Sequence, residues 1–133
     1  MIFVLDTNTC IYFLNGSYRS VADELSSHPA EELAVTSITV AELFYGAHHS
    51  ARKTRNLLLL EDFFLDLQIL TFDRPAAENF GPLKEILHQQ GKLLGPYDLL
   101  IASIVRSRGF TLVTHDTKSF SQISDILLVD WVR

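Results

Sequence analysis

Four acidic residues stand at positions where they could act together on one substrate. Asp6 directly follows the apolar run Ile2–Leu5, which is typical of a strand buried on both faces. Glu42 lies one turn into the helix after a second apolar strand, and Asp116 comes just past a later one. Because the carboxyl ends of parallel strands meet at one edge of a sheet, these three acids are expected to converge there. Asp98 opens a helix that runs back towards the next strand, so the sheet argument alone leaves its place open.

Each of these acids also has a purely structural interpretation. Asp6 and Asp98 both fit the N-cap of a helix, a position that Asp favours. Glu42 completes a capping box of the Ser/Thr-x-x-Glu type that begins at Thr39. Asp116 fits a turn residue whose side chain bonds its own backbone. For any one of these acids alone, the structural interpretation is favoured, because caps and turns are the commoner use of such residues.

Taken together, the four acids predict a divalent metal site. Carboxylates brought near one point repel one another, and burial would push some of them towards protonation. A bound divalent cation removes that conflict, and all-oxygen ligation suits Mg²⁺ or Mn²⁺. Zinc is disfavoured, because His48 and His49 are adjacent and Cys10 is the only cysteine.

The composition is that of an ordinary globular protein. With 133 residues, 47% of them hydrophobic and 20% charged, the chain fits a single domain over residues 1–133. The net charge of −5 argues against binding nucleic acid through positive charge alone, although a bound metal would invert the sign locally. One cysteine allows no internal disulfide, and no apolar run approaches the ~18 residues of a membrane span. Since no signal peptide is recognisable either, we expect a soluble, cytoplasmic protein.

Short apolar strands alternate with helices along the chain. The predicted strands are Ile2–Leu5, Leu33–Thr36, Gln68–Phe72, Thr111–Thr114 and Ile126–Val129. The longer predicted helices are Asn8–Leu14, one around Val21 and Leu25, Ser37–His48, Arg52–Leu67, Ala76–Gln90 and Asp98–Arg108. This alternation predicts an α/β fold with a mostly parallel sheet of about five strands, built from right-handed crossovers.

The helix predicted over Arg52–Leu67 is apolar on more than one side. Leu57, Leu60 and Leu67 share one face, while Leu58 and its neighbours widen the stripe well beyond it. Such a helix is either deeply buried or contacts another chain.

Four segments of the chain, in order, resemble the motifs of PIN-domain proteins, and within these the VapC ribonuclease toxins of bacterial toxin–antitoxin pairs. The segments are Val4–Asn8, Ser37–Ala47, Gly95–Ala102 and Leu112–Phe120, and the closing pair Asp130-Trp131 also fits. The resemblance covers essentially the whole chain. It implies a PIN-like, three-layer α/β/α fold and an endoribonuclease that cleaves structured RNA, often transfer RNA.

The resemblance also implies roles for the acids. Asp6 and Asp98 would coordinate Mg²⁺ or Mn²⁺, helped by Glu42 and, through water or a second metal, by Asp116. This places Asp98 in the pocket, which the sheet argument could not do. The metal would polarise the scissile phosphate and activate a water molecule. The supporting residues of this site would be Thr7, Asn8 and Thr114.

One position departs from the family pattern. Many relatives carry Asn-Asn where this chain has His115-Asp116. The role of Asp116 is therefore the least determined of the four. His115 could touch the substrate, although a solvent-facing loop residue is the simpler interpretation.

Two kinds of protein partner follow from the resemblance. An antitoxin of the VapB type would fold a helix into a hydrophobic groove of the toxin, and an antitoxin arginine could reach the acidic pocket. We hypothesise that Leu57–Leu67 and the helix bearing Phe44 and Tyr45 form this groove, with ordinary core packing as the alternative. The resemblance also implies a homodimer.

The pocket is acidic, so basic residues elsewhere must hold the RNA. The candidates are Arg52, Lys53, Arg55, Lys92, Arg106, Arg108 and Lys118. Each by itself is more typical of a solvated surface charge.

Other functions fit the sequence less well. A phosphatase with an Asp nucleophile requires a second Asp two residues on, where this chain has Asn8. A phospho-receiver domain requires an acidic pair at the first strand, which is absent. A scaffold with an inactive pocket is disfavoured because all four acids are present.

Overall fold

A computed structural model describes residues 1–133 and contains one five-stranded sheet. The strands are β1 (Phe3–Leu5), β2 (Leu33–Thr36), β3 (Gln68–Leu70), β4 (Thr111–Val113) and β5 (Leu127–Val129). They lie in the order β3-β2-β1-β4-β5, and every neighbouring pair is parallel. The predicted α/β fold with five strands is confirmed, and the sheet is wholly rather than mostly parallel.

Seven α-helices connect and cover the strands. They are α1 (Thr7–Asn15), α2 (Arg19–Ser27), α3 (Ser37–His49), α4 (Lys53–Phe64), α5 (Arg74–Gln89), α6 (Pro96–Arg108) and α7 (Thr117–Phe120). A short 3-10 helix, Ala30–Glu32, precedes β2. None of the helices is both long and apolar enough to cross a membrane.

The first strand, β1, is the central strand of the sheet and is buried on both faces. Val4 is fully buried in one hydrophobic cluster with α5 and α6, and Leu5 is fully buried in the other with α1, α3 and α4. Successive side chains of a strand point to opposite faces, so these two residues anchor both helix layers to the sheet. Val4 is in register with Ala34 of β2 and Leu112 of β4. The last residue before the helical layer, Asp6, is therefore fixed in position by a core on each side.

Two helices end at glycines in the left-handed region. Gly16 follows α1 with φ of 71°, and Gly109 follows α6 with φ of 67°. In both cases the glycine N–H bonds carbonyls of the last turn, which is the usual helix C-cap. The helix predicted over Asn8–Leu14 is thus present as α1 and ends at Gly16.

The start of α6 differs from the prediction. Gly95 is the N-cap residue and Pro96 occupies the first helical position, where its missing N–H costs nothing. Asp98 therefore does not open the helix as a cap. It lies in the first turn, where a negative charge also benefits from the helix dipole.

The helix α4 is shorter than the helix predicted over Arg52–Leu67, and it is not deeply buried. Of its residues only Leu60 is fully buried, at 4% exposed. Leu58 is 66% exposed, and Leu65, which follows the helix, is 79% exposed. The structure therefore leaves part of the apolar stripe on the surface.

Candidate active site

Asp6 is the most buried of the four acids, at 5% exposed. Its backbone N–H continues the sheet pairing by bonding the Val113 carbonyl at 3.0 Å. Its Oδ1 accepts a hydrogen bond of 2.8 Å from the Thr9 N–H, so Asp6 is the N-cap of α1. The structural interpretation of Asp6 is correct, and it does not exclude a second role for the carboxylate.

Burial raises the pKa of Asp6 above its ordinary value of 3.8. Hydrogen bonds from Thr114 and Thr9 act in the opposite direction, because they favour the ionised carboxylate. The negative charge of Asp116 raises the pKa a little further. Asp6 is thus a desolvated carboxylate that neighbouring hydroxyl groups help to keep ionised.

Glu42 belongs to α3, which begins directly after β2. The N-cap of this helix is Thr36, whose hydroxyl accepts from the Thr39 N–H at 3.2 Å. The predicted capping box from Thr39 to Glu42 is therefore wrong. Instead, Glu42 Oε1 accepts a hydrogen bond of 2.7 Å from Thr7 Oγ1, which also lies 3.0 Å from Thr39 Oγ1. The carboxylate is held towards the start of α1 and the end of β1.

Asp98 is partly buried, and its pKa responds to the charges of the other three acids. Its pKa is raised from 3.8 to about 6, first by burial and then by the charges of Asp6, Glu42 and Asp116. Charges raise a carboxylate pKa in this way only when they lie close by. The structure therefore brings all four predicted acids to one place, including the one that the order of strands could not locate.

Asp116 also has a structural role. Its Oδ1 accepts from the Ser119 N–H at 3.2 Å and caps α7, as the turn interpretation implied. Its own N–H donates to Thr114 Oγ1 at 3.0 Å. Thr114 is fully buried and contacts both Asp6 and Asp116. This threonine therefore joins the most buried acid to the most exposed one.

No positive side chain neutralises this group of acids. The structure contains eight contacts within 4.0 Å between a basic and an acidic side chain, and none of them includes Asp6, Glu42, Asp98 or Asp116. No three of its His, Cys, Asp or Glu side chains form a ready-made cage for a metal ion. The donor set consists of oxygen atoms only and fits Mg²⁺ or Mn²⁺, which bind through one or two carboxylates and keep several waters.

A comparison with known proteins identifies the family. The model of the PIN domain matches residues 3–126 of the chain. This chain is a PIN-domain protein. It is 35% identical over 129 residues to the tRNA(fMet)-specific endonuclease VapC of Shigella flexneri, covering 97% of each protein. It is 37% identical over 130 residues to Ribonuclease VapC2 of Haemophilus influenzae strain ATCC 51907, covering 98% of each.

A solved structure agrees with these relatives. The crystal structure of VapBC2 from Rickettsia felis bound to a DNA fragment from their promoter contains a chain with a TM-score of 0.92 to this one. The two are 36% identical, and the match covers 98% of this chain and 99% of that one. The chain therefore belongs to the VapC family of PIN-domain proteins, and the PIN-like α/β/α fold is confirmed.

The supporting residues of this PIN domain contribute unequally. Thr7 and Thr114 bond the acids directly, whereas Asn8 is exposed and its side chain makes no hydrogen bond. Thr39 was not among the predicted site residues, yet it is fully buried and bonds Thr7. Its position in the helix sequence gave no sign of this contact, because the partner is 32 residues away.

Two of the predicted RNA-binding residues of this PIN domain already have other partners. Arg106 pairs with Asp125 at 3.8 Å, and Arg108 pairs with Asp73 at 3.0 Å. Five candidates remain that are exposed and form no ion pair: Arg52, Lys53, Arg55, Lys92 and Lys118.

An apolar cavity of about 250 Å³ lies beside the acids, between α1, α3 and α4. Its apolar lining consists of Ile11, Leu14, Leu43, Ala47, Leu59 and Leu60. Glu42 also lines it, so the cavity is continuous with the acidic site. The hypothesised groove was assigned to Leu57–Leu67 and to the helix bearing Phe44 and Tyr45, and α4 and α3 both line this cavity. The Phe44 ring itself packs against Phe64, with ring centroids 5.6 Å apart, and is not part of the lining.

Proposed function

We propose that this VapC-family protein is a metal-dependent endoribonuclease, and that it is the toxin of a toxin–antitoxin pair. Its full-length relatives are named as an endonuclease specific for tRNA(fMet) and as a ribonuclease. The observation that carries the proposal is the meeting of four acids at one place without a basic partner, where burial and the charges of the other three raise the pKa of Asp98 to about 6. Four carboxylates without a positive partner are suited to an active site that holds a divalent cation.

Asp6 and Asp98 would hold the ion, with Glu42 and Asp116 at its periphery. When bound, Mg²⁺ or Mn²⁺ supplies a Lewis acid for the scissile phosphate and lowers the pKa of water. Residues 1–133 would supply every one of these groups as a single domain.

The protein side chains then have separate tasks. Asp6 is locked by the Thr9 N–H at the end of β1, so its position is preorganised. Glu42 is oriented by Thr7 Oγ1 and keeps one carboxylate oxygen, Oε2, to accept a proton from the attacking water. Asp98, whose pKa is about 6, must lose its proton before it can hold a cation. The four acids would otherwise repel a phosphate, so substrate binding and cation binding are coupled.

The substrate class is RNA with unpaired nucleotides, and transfer RNA is the candidate that the relatives' names support. Sequence-specific recognition of RNA uses loops and bulges whose bases can be splayed out.

The partner that we propose for the apolar cavity is a helix of a VapB-type antitoxin. The solved structure of VapBC2 from Rickettsia felis bound to a DNA fragment from their promoter contains a chain that is 36% identical to this one. Leu59 is 45% exposed at the wall of the cavity, and Glu42 lies at its acidic side. An arginine of the antitoxin at that point would pair with the uncompensated carboxylates. We also propose a homodimer, which light scattering of the purified protein tests directly.

The decisive experiment measures cleavage of a folded transfer RNA by the purified protein with Mg²⁺, with Mn²⁺ and with a chelator. Cleavage should require a divalent ion and should be lost in Asp6→Asn and in Asp98→Asn. Asp66→Asn is the matched control, because Asp66 is an exposed acid outside the site. Equal cleavage in chelator, or in the Asp6→Asn protein, would contradict the metallonuclease.

A further inference from the structure

His115 is oriented by the end of the chain. Its Nδ1 lies 2.9 Å from Asp130 Oδ2. A carboxylate can only accept, so Nδ1 carries the shared hydrogen. Asp130 is itself fixed, because its Oδ1 accepts from the Val132 N–H at 2.9 Å. The imidazole ring is therefore held in one orientation, although its side chain is 47% exposed.

Two tyrosines frame this ring. The centroid of His115 lies 6.4 Å from that of Tyr12 and 6.2 Å from that of Tyr18. The tyrosines contact each other edge to face at 4.9 Å. Tyr12 belongs to α1, the helix that Asp6 caps, so the cluster and the buried acid share one element.

The contact between His115 and Asp130 adds little to the stability of the fold, because both side chains are partly exposed and exposed pairs of this kind contribute little. A fixed, exposed aromatic ring is more useful as a contact surface, and aromatic side chains stack unpaired bases irrespective of sequence. Stacking needs no positive charge, which suits a chain whose net charge is −5.

The location favours RNA as the ligand. His115 directly precedes Asp116, whose charge reaches both Asp6 and Asp98. A nucleotide next to the scissile phosphate would pass over this point. We propose that an aromatic platform, formed by the ring of His115 and framed by Tyr12 and Tyr18 at 74° and 45° to it, stacks an unpaired nucleobase of the RNA substrate beside the acidic site. The platform rests on the proposed ribonuclease function and adds a binding contact to it.

The test compares His115→Ala with His115→Phe in steady-state RNA cleavage. His115→Ala should raise KM about tenfold, equivalent to about 1.4 kcal/mol, with kcat within about threefold of the wild type. His115→Phe keeps an aromatic face and should keep KM close to the wild-type value. His88→Ala is the control, because His88 is an exposed histidine in the last turn of α5. A short RNA carrying 2-aminopurine should also lose stacking-induced quenching in the Ala variant only.

The outcomes separate this inference from the proposed function. If the wild type cleaves RNA and His115→Ala leaves KM unchanged, the platform is refuted while the ribonuclease stands. Equal increases in KM for the Ala and Phe variants would exclude stacking. Weaker antitoxin retention with unchanged KM would assign the patch to the protein partner instead. A wild type without any nuclease activity refutes the proposed function itself.

Discussion

Thr7 Oγ1 donates a hydrogen bond of 2.7 Å to Glu42 Oε1, and this bond connects α1 to α3. The two helices follow β1 and β2, which are neighbouring parallel strands. The threonine therefore sets the direction of a carboxylate that is 35 residues away in the chain. A side chain in the first turn of α1 is in this way connected to the proposed chemistry.

Replacing Thr7 with Val should reduce RNA cleavage about tenfold. The substitution preserves the shape of the side chain but removes the donor to Glu42, so the carboxylate is no longer oriented. The free energy of unfolding should fall by about 1 kcal/mol, the usual contribution of one such hydrogen bond. Cleavage assays and urea denaturation measure the two effects. Thr7→Ser keeps the hydroxyl and should stay close to the wild type, and a large loss of activity in that variant would contradict the assigned role.

Replacing Thr114 with Val should move the acid limb of the kcat/KM profile to higher pH. The Thr114 hydroxyl favours the ionised form of Asp6, so its removal raises the pKa of Asp6 further. Because cation binding requires the ionised acid, activity would then begin only at higher pH. A pH series of initial rates measures the shift, with Thr114→Ser as the control. An acid limb that stays in place would mean that Asp6 does not govern it.

The Asp98→Asn protein should differ from the wild type in how its stability depends on pH without divalent metal. The pKa of Asp98 is about 6 in the folded protein and near its ordinary 3.8 when unfolded. Between these values the folded state binds more protons, so this contribution to stability is complete below about pH 3.8 and is lost as the pH rises to about 6. As the pH rises from about 3.8 to about 6, the wild type should therefore lose stability relative to Asp98→Asn. The melting temperature of Asp98→Asn minus that of the wild type should increase across this window.

Thermal denaturation in chelator at several pH values measures this difference. Saturating Mn²⁺ should then raise the melting temperature of the wild type at pH 7, because a ligand of the folded state stabilises it. Asp98→Asn should respond much less. Parallel pH profiles of the two proteins would rule out the raised pKa.

Introducing a charge at Leu59 should weaken antitoxin binding without affecting RNA cleavage. Leu59→Asp places a carboxylate in the wall of the apolar cavity, where an antitoxin helix would bury it. Co-purification of the two proteins, followed by titration of nuclease inhibition, measures the effect. Leu65→Asp is the matched control, because Leu65 is 79% exposed and does not line the cavity. Equal binding by the two variants would remove the cavity from the interface.

Prediction from sequence succeeds here where local pattern and chain direction suffice. The predicted bounds of Leu33–Thr36 agree with those of β2, and the helix predicted over Asn8–Leu14 is within one residue of α1 at each end, since both follow from short-range residue preferences. The helix Arg52–Leu67 was predicted too long, and the sequence left open whether its apolar faces are buried or contact another chain, because leucines indicate an apolar surface without indicating what covers it. The capping box ending at Glu42 also failed, since the hydroxyl of Thr36 had already capped the helix.

The sequence by itself determined which residues could do the chemistry. Apolar strands run directly into Asp6 and towards Asp116, and parallel strands deliver their last residues to one edge. The tertiary structure decided how these groups interact: it joined Thr7 to Glu42, and it packed α6 so that Asp98 lies within reach of three other charges. Such contacts depend on the packing of elements that are distant in the chain. Periodicity and capping preferences act only between near neighbours and carry no information about them.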